Sequence, residues 1–164
     1  MAEKRRMDDL VIEGARLIFR NFSGKADQYN REGDRNFNVV IDDEEFAKRL
    51  IKEGWNIKVR LPKEDGEEVM YRLPVKVNFS SDYPPTIWKV NAGNNLVMIT
   101  EDIVGRLDRA NIRNVDLIIS PYLWEVNGKS GVKAYLKTMY ITLEENVLEE
   151  KYARRDDSDE IPFN

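Results

Sequence analysis

The residues Asp156-Asp157-Ser158-Asp159-Glu160-Ile161-Pro162-Phe163-Asn164 close the chain on a pattern that suits docking. Four carboxylates in five positions repel one another and stay hydrated. Ile161, Pro162 and Phe163 form a compact apolar tip, and Pro162 limits the entropy lost on binding. Such a segment can place Phe163 in an apolar pocket of a partner while Asp156, Asp157, Asp159 and Glu160 meet Lys or Arg at its rim. An ordinary solubilising terminus has no use for an Ile-Pro-Phe tip. By charge alone, the same tail could fold over a basic groove and compete with an anionic ligand, in a contact that salt weakens.

A second set of residues pairs aromatic rings with cations. Residues 133–137 read Lys-Ala-Tyr-Leu-Lys, so a strand period of two puts Lys133, Tyr135 and Lys137 on one face. Bases stack on rings while Lys and Arg follow phosphates, and neither contact needs a defined base sequence. The segment 20–35 supplies Arg20, Phe22, Lys25, Tyr29, Arg31 and Arg35 in polar, Gly-containing surroundings. Phe22 and Tyr29 there are either stacking platforms or covers for one end of the core. Lys58 and Arg60 alternate together on another strand, with Trp55 on the opposite, inward side. Trp88 follows Pro84-Pro85 and precedes Lys89, and Lys129 lies in the turn 127–131.

The chain has no Cys and no His. Disulfides, thiolate nucleophiles, Cys/His zinc sites and a His general base are therefore excluded. The run Asp42-Asp43-Glu44-Glu45 could serve a two-metal nuclease in principle, but helix capping accounts for it. Gly128-Lys129-Ser130-Gly131 lacks the upstream glycines of a phosphate-binding loop and lies between strands. The reading is a protein that is not an enzyme and needs no metal or organic cofactor.

The formal net charge of −4 at first argues against a nucleic-acid partner. Its distribution removes the objection. Residues 144–164 carry eight acidic and three basic side chains, whereas residues 1–143 carry 22 acidic and 23 basic ones. The acidity belongs to the tail. No apolar run reaches 18 residues and no apolar stretch follows the basic N-terminus, so the expectation is a cytoplasmic protein without a membrane partner.

These groups need elements to hold them. Residues 1–9 are polar and expected to be flexible. Residues 10–19 read as a first strand with Gly14 as a bulge, 20–35 as a long loop, and 36–41 as a second strand. A helix follows, capped by Asp42 or Asp43 and stopped by Gly54, with Phe46, Ala47, Leu50 and Ile51 on one face. Residues 55–61 and 69–79 form a hairpin around Asp65-Gly66, and Pro74 suggests an edge or a break. Residues 83–90 are extended, 96–99 form a short strand, and a second short helix starts at 100–102 with Ile103, Val104 and Leu107 inward. Residues 115–126 and 132–143 make a long hairpin around 127–131. The count predicts a mainly β protein: an OB-fold-like, five-stranded, partly open barrel with additional hairpin strands and two short helices. A different α+β sheet is the competing architecture. The domain is expected over 10–143, with 144–164 as an acidic, largely disordered tail.

The ending resembles the acidic C-terminal tip of bacterial single-stranded DNA-binding proteins, which runs Asp-Asp-Asp-Ile-Pro-Phe. The matching residues are Asp157, Asp159, Glu160, Ile161, Pro162 and Phe163; Ser158 interrupts the acids and Asn164 follows the Phe. The body resembles the small single-stranded DNA-binding proteins of phages and mobile elements, over residues 20–41, 53–61 and 127–143. This resemblance implies an oligonucleotide-binding fold, protection of single-stranded DNA in replication or recombination, and docking of replication, recombination or repair proteins by the tail. It also implies the cytoplasm of a bacterial host if the chain is phage-encoded. An interaction or inhibitor protein that occupies a repair enzyme's tail-docking pocket is the alternative, and an RNA ligand is a third. Self-association is left open.

Overall fold

The computed structural model describes residues 7–28 and 30–144, and its longest pairing is the hairpin that Asn127-Gly128 nucleates. Strands β8 (Ile112–Val126) and β9 (Lys129–Leu143) are joined by a two-residue turn whose φ angles are 51° and 79°. Both central residues of a type I′ turn need positive φ, which Asn and Gly accept most readily. The turn is shorter than expected. Ser130 and Gly131 belong to the ladder, opposite Glu125 and Trp124.

The expected first strand is two strands. β1 (Leu10–Ile12) pairs with β8, and β2 (Arg16–Asn21) pairs with β3 (Arg35–Ile41). Gly14, at φ 60°, lies in the bend between them, and its amide donates to Asp116 Oδ1 at 2.9 Å. Alternation alone cannot reveal that a strand changes partner midway. The other strands are β4 (Lys58–Arg60), β5 (Met70–Val77), β6 (Thr86–Val90) and β7 (Leu96–Met98).

The sheet runs in the order β1-β8-β9-β5-β3-β2, with β4 added on β5, β6 on β9 and β7 on β6. Its two end strands are consecutive in the chain, so the sheet must curl back on itself. β9 runs parallel to β5 and β6, and the other ladders are antiparallel. Pro74 is not at an edge of the sheet. It lies on β5 between Arg72, the last residue paired with β4, and Val75, the first paired with β9. A residue without an N–H fits where a strand changes neighbours.

The single α-helix among the described residues, α1 (Glu44–Glu53), begins where Asp43 accepts from the amides of Glu45 and Phe46. It ends at Gly54, whose φ of 102° favours glycine. Ala47 and Leu50 are buried, whereas Ile51 of the expected inward face is exposed. The second expected helix is a 3-10 turn, Val104–Asp108, with Val104 and Leu107 inward as expected. It anchors the chain after β2. The Asp108 carboxylate accepts from the amides of Phe22 and Ser23, and Gly105 lies so close to Ser23 that a Cβ there would be 3.0 Å from it. Just before this turn, the Thr100 hydroxyl and then Asp102's own amide hold the Asp102 carboxyl below the usual range.

The interior is one apolar cluster in which Phe22, Phe37, Leu73, Ile87, Leu117, Ile119, Met139 and Ile141 have almost no exposed surface. Trp55 is buried too, bridged to Val132 of β9, as its inward position in the sequence predicts. Before β1, Met7 packs against this cluster. Residues 1–6 of the expected flexible N-terminus and the tail from 145 onward lie outside the described residues.

Candidate nucleic-acid interface

On β9 the buried residues Val132, Ala134 and Leu136 alternate with Lys133, Tyr135 and Lys137, which face outward. Register then defines their neighbours. Lys133 is opposite Tyr122, Tyr135 is opposite Ser120, and across the parallel ladder Tyr135 lies beside Lys76 of β5. The Tyr122 and Tyr135 rings meet edge-on, with centroids 5.9 Å apart. One more position along the hairpin, the Trp124 indole lies against Gly131, so closely that a Cβ there would be 2.8 Å from it. Trp124, Tyr122, Tyr135, Lys133 and Lys76 thus form a ring-and-cation surface on one face of the sheet. Lys137 flanks it with its ammonium on Asp9 at 2.7 Å.

The face continues along β5. Tyr71, Leu73, Val75 and Val77 are buried, so Arg72, Pro74 and Lys76 look outward. Lys58 of β4 is opposite Arg72, and Lys58 and Arg60 are both exposed. Arg72 and Lys76 are four residues apart, about 13 Å along the strand. The predicted pair on β4 and the predicted stripe on β9 therefore follow one another along the same edge of β5, on one side of the sheet.

The 20–35 segment divides. Lys25 and Arg31 are exposed. Their loop is tied to this face through Asn36, which donates to Asn30 Oδ1 at 2.8 Å and is the β3 partner of Lys76. Phe22 is a correction. It is fully buried and stacks on Phe37 at 5.2 Å, so no base can reach it. Arg20 and Arg35 are anchors rather than free cations. Arg20 Nη1 donates to the carbonyls of Leu107 and Ala110 at 2.8 Å each. Arg35 donates to the Phe22 carbonyl, pairs with Glu101 at 3.3 Å and lies over Phe79. Tyr29 lies outside the described residues, as do Asp156, Asp157, Asp159, Glu160, Ile161, Pro162 and Phe163. Trp88 is half-buried on β6 between Met98 and Tyr140, and Tyr140 is five residues along β9 from Tyr135, about 16 Å. Lys129 stands at the hairpin tip opposite Val126.

The carboxylate run resolves into capping: Asp43 caps α1, while Glu44 accepts from Tyr71 and pairs with Lys48. Among the described residues no group of three or more acidic side chains is placed to hold a metal ion.

A family model described as "Putative phage ssDNA-binding domain" matches residues 1–163. The chain belongs to that family. No curated protein sequence matches it. Among solved structures, the C-terminally truncated single-stranded DNA-binding protein of bacteriophage Enc34 is similar, with a TM-score of 0.54 and 12% identity over 89% of this chain and 98% of that one. The same phage protein in complex with single-stranded DNA gives a TM-score of 0.53 and 11% identity, over 88% and 95% of the two chains. At that identity the likeness establishes a shared fold. Family membership establishes the ligand class, and the placement of rings and cations must be argued from this chain's own residues.

Two features of the face escape the sequence pattern. Lys76 and Arg72 read as ordinary outward residues of a strand, and only the β5–β9 and β4–β5 pairings bring them beside Tyr135 and Lys58. Phe19 reads as the end of an apolar run, yet 65% of its surface is exposed.

Proposed function

We infer that this phage single-stranded DNA-binding domain holds its ligand on the outer face of β9, β5 and β4, with little base preference. The observation that carries this is the Tyr135 surface: a ring flanked by Lys76 and Lys133 and backed edge-on by Tyr122. Stacking on such rings is open to any base, and lysines beside them suit phosphates. Lys58, Arg60, Lys25, Arg31, Lys129 and Lys137 extend the basic border of the surface, and Trp88 offers a more distant ring on the same sheet. Tyr29 remains a candidate in the loop.

The strand order supports an oligonucleotide-binding barrel. With β1 and β2 taken as one bent strand, β3, β5, β8 and β9 supply the other four, and β4, β6 and β7 are additions. In such barrels the face of strands two and three and the loops after strands one and four contact the ligand. Those regions correspond here to β3–β5, the 22–34 loop and the β8–β9 turn. The domain spans 10–143, and the role is protection of single-stranded DNA in replication or recombination, in the cytoplasm of a bacterial host. Among the described residues no helix is long and apolar enough to cross a membrane. The acidic tail recruits replication, recombination or repair proteins through Ile161, Pro162 and Phe163, and its carboxylates compete with DNA for the basic face.

The test is an oligo-dT titration of the full chain and of a variant lacking residues 156–164. The full chain should bind, more weakly as salt rises, and the deletion should tighten binding at low salt. Equal affinity of the two at low salt would remove the competing role of the tail. No binding by either would refute the assignment of this face. Phe163→Ala should abolish partner capture and spare oligonucleotide binding.

A further inference from the structure

Phe19 breaks the alternation of its own strand. Leu17 packs against the core, so a regular β2 would send Phe19 inward two positions later. Instead the pairing with β3 shifts register between Ile18 and Asn21, and Phe19 adopts a φ of 51°. A positive φ is unusual for a bulky residue and persists only where the surroundings enforce it. Such a bulge can re-aim a side chain. Here it turns an aromatic ring out of the core and into solvent.

The exposed ring is backed by a fixed cation. The Arg72 guanidinium lies 5.2 Å from the Phe19 centroid. Arg72 Nη1 in turn donates to Oδ1 of Asn38 at 2.6 Å, and Asn38 is 7% exposed on β3. A nearly buried amide therefore sets a guanidinium, which sets the ring. Arg72 shares the outer side of β5 with Lys76, the neighbour of Tyr135, and stands opposite Lys58. Backed by Arg72, the largely exposed ring has room for a planar group.

We propose that Phe19 is a second base-stacking position, with Arg72 as the positioning residue behind it, so that the DNA runs across the strands from the β8–β9 hairpin over β5 and β3 to β2. The proposal rests on the single-stranded DNA reading and adds a direction to it. From β9 to β2 the path crosses three inter-strand gaps, about 14 Å, and Arg72 is displaced about 13 Å along β5 from Lys76, so the rings are about 15–20 Å apart and one oligonucleotide can span both.

Phe19→Ala, Phe19→Leu and Phe19→Trp in the full chain, titrated with oligo-dT, test this. Ala and Leu both remove the π face, and each should weaken binding about 5- to 30-fold. Leu keeps the apolar bulk, so the pair separates stacking from general hydrophobic contact. Trp should retain affinity and add an indole emission that oligo-dT quenches. Arg72→Gln should weaken binding in the parent but much less in Phe19→Ala, since a residue acting through the ring has nothing to act on once the ring is gone. The loss caused by Phe19→Ala should shrink for oligonucleotides too short to reach from Tyr135 to Phe19, because these no longer engage both rings at once. If Phe19→Ala and Phe19→Leu, with unchanged thermal unfolding, bind within twofold of the parent while Tyr135→Ala is weakened, the second platform is wrong and the ligand assignment stands. Failure of the parent to bind overturns both.

Discussion

Replacing Tyr135 by Ala removes the ring at the centre of the assigned surface and leaves every charge in place. Tyr135 lies beside Lys76 on one side and opposite Ser120 on the other, edge-on to Tyr122 at 5.9 Å. A base stacked on an aromatic side chain is worth about 1–3 kcal/mol. Part of the Tyr135 ring is committed to Tyr122, and Tyr122 remains to cover part of the base in the variant. The lower half of that range applies, about 1–2 kcal/mol, or about 5- to 30-fold in Kd. Fluorescence anisotropy of labelled oligo-dT over a salt series reads both affinity and its salt dependence. Tyr135→Ala should displace the whole log Kd line without changing its slope. Lys133→Ala should instead change the slope, lowering it by about 0.7 for one lost phosphate contact on a single strand, so that its loss of affinity is largest at low salt. Tyr135→Phe keeps the ring and should match the parent. Affinity of Tyr135→Ala within twofold of the parent, or a slope change as large as that of Lys133→Ala, would refute stacking at this position.

Two structural predictions accompany it. Phe22→Ala opens a cavity beside Phe37 in the closed core and should cost about 3–5 kcal/mol of stability, read by denaturant unfolding, with oligo-dT affinity of the folded fraction unchanged. Gly131→Ala places a methyl where the Trp124 indole now lies; it should shift Trp emission and cost about 1–3 kcal/mol, and unchanged emission would mean that the indole does not cover that glycine.

The elements legible in the sequence are those whose signals are local. Asp43 and Gly54 bound α1 because a cap and a left-handed stop each need one residue type, and Asn127-Gly128 locates the long hairpin for the same reason. What was hidden depends on partners distant in the chain. The apolar run 10–19 contains no mark that its first part pairs with β8 and its second with β3, since both halves need the same kind of residue. Phe22 has polar neighbours in sequence, and its burial follows from Asp108 gripping the two amides at 22 and 23 and from Phe37 lying beneath it. Arg20 and Arg35 look like phosphate ligands until the carbonyls of Leu107, Ala110 and Phe22 are seen to take their donors. The Lys133-Tyr135-Lys137 stripe was visible because alternation on one strand suffices. Its neighbour Lys76 was not, because a parallel pairing leaves no local trace.

The bend at Gly14 also sets an order of events for the newly made chain. Its amide is bonded to a residue 102 positions later, and β1 finds its partner only in β8. At about 5–20 residues per second, a ribosome needs roughly 5–20 s to extend the chain that far. During that interval β2, β3 and β5 can meet while β1 has no ladder, and the apolar face they share stays open along one side. The β8–β9 hairpin, once released, can form on a scale of about 1–10 μs because its contacts are local. Completion of the sheet therefore waits on synthesis. From the synthesis of Val77 to that of Leu143, about 3–13 s at the same rate, β2, β3 and β5 stand as an open sheet whose apolar side needs cover from a chaperone or from another chain.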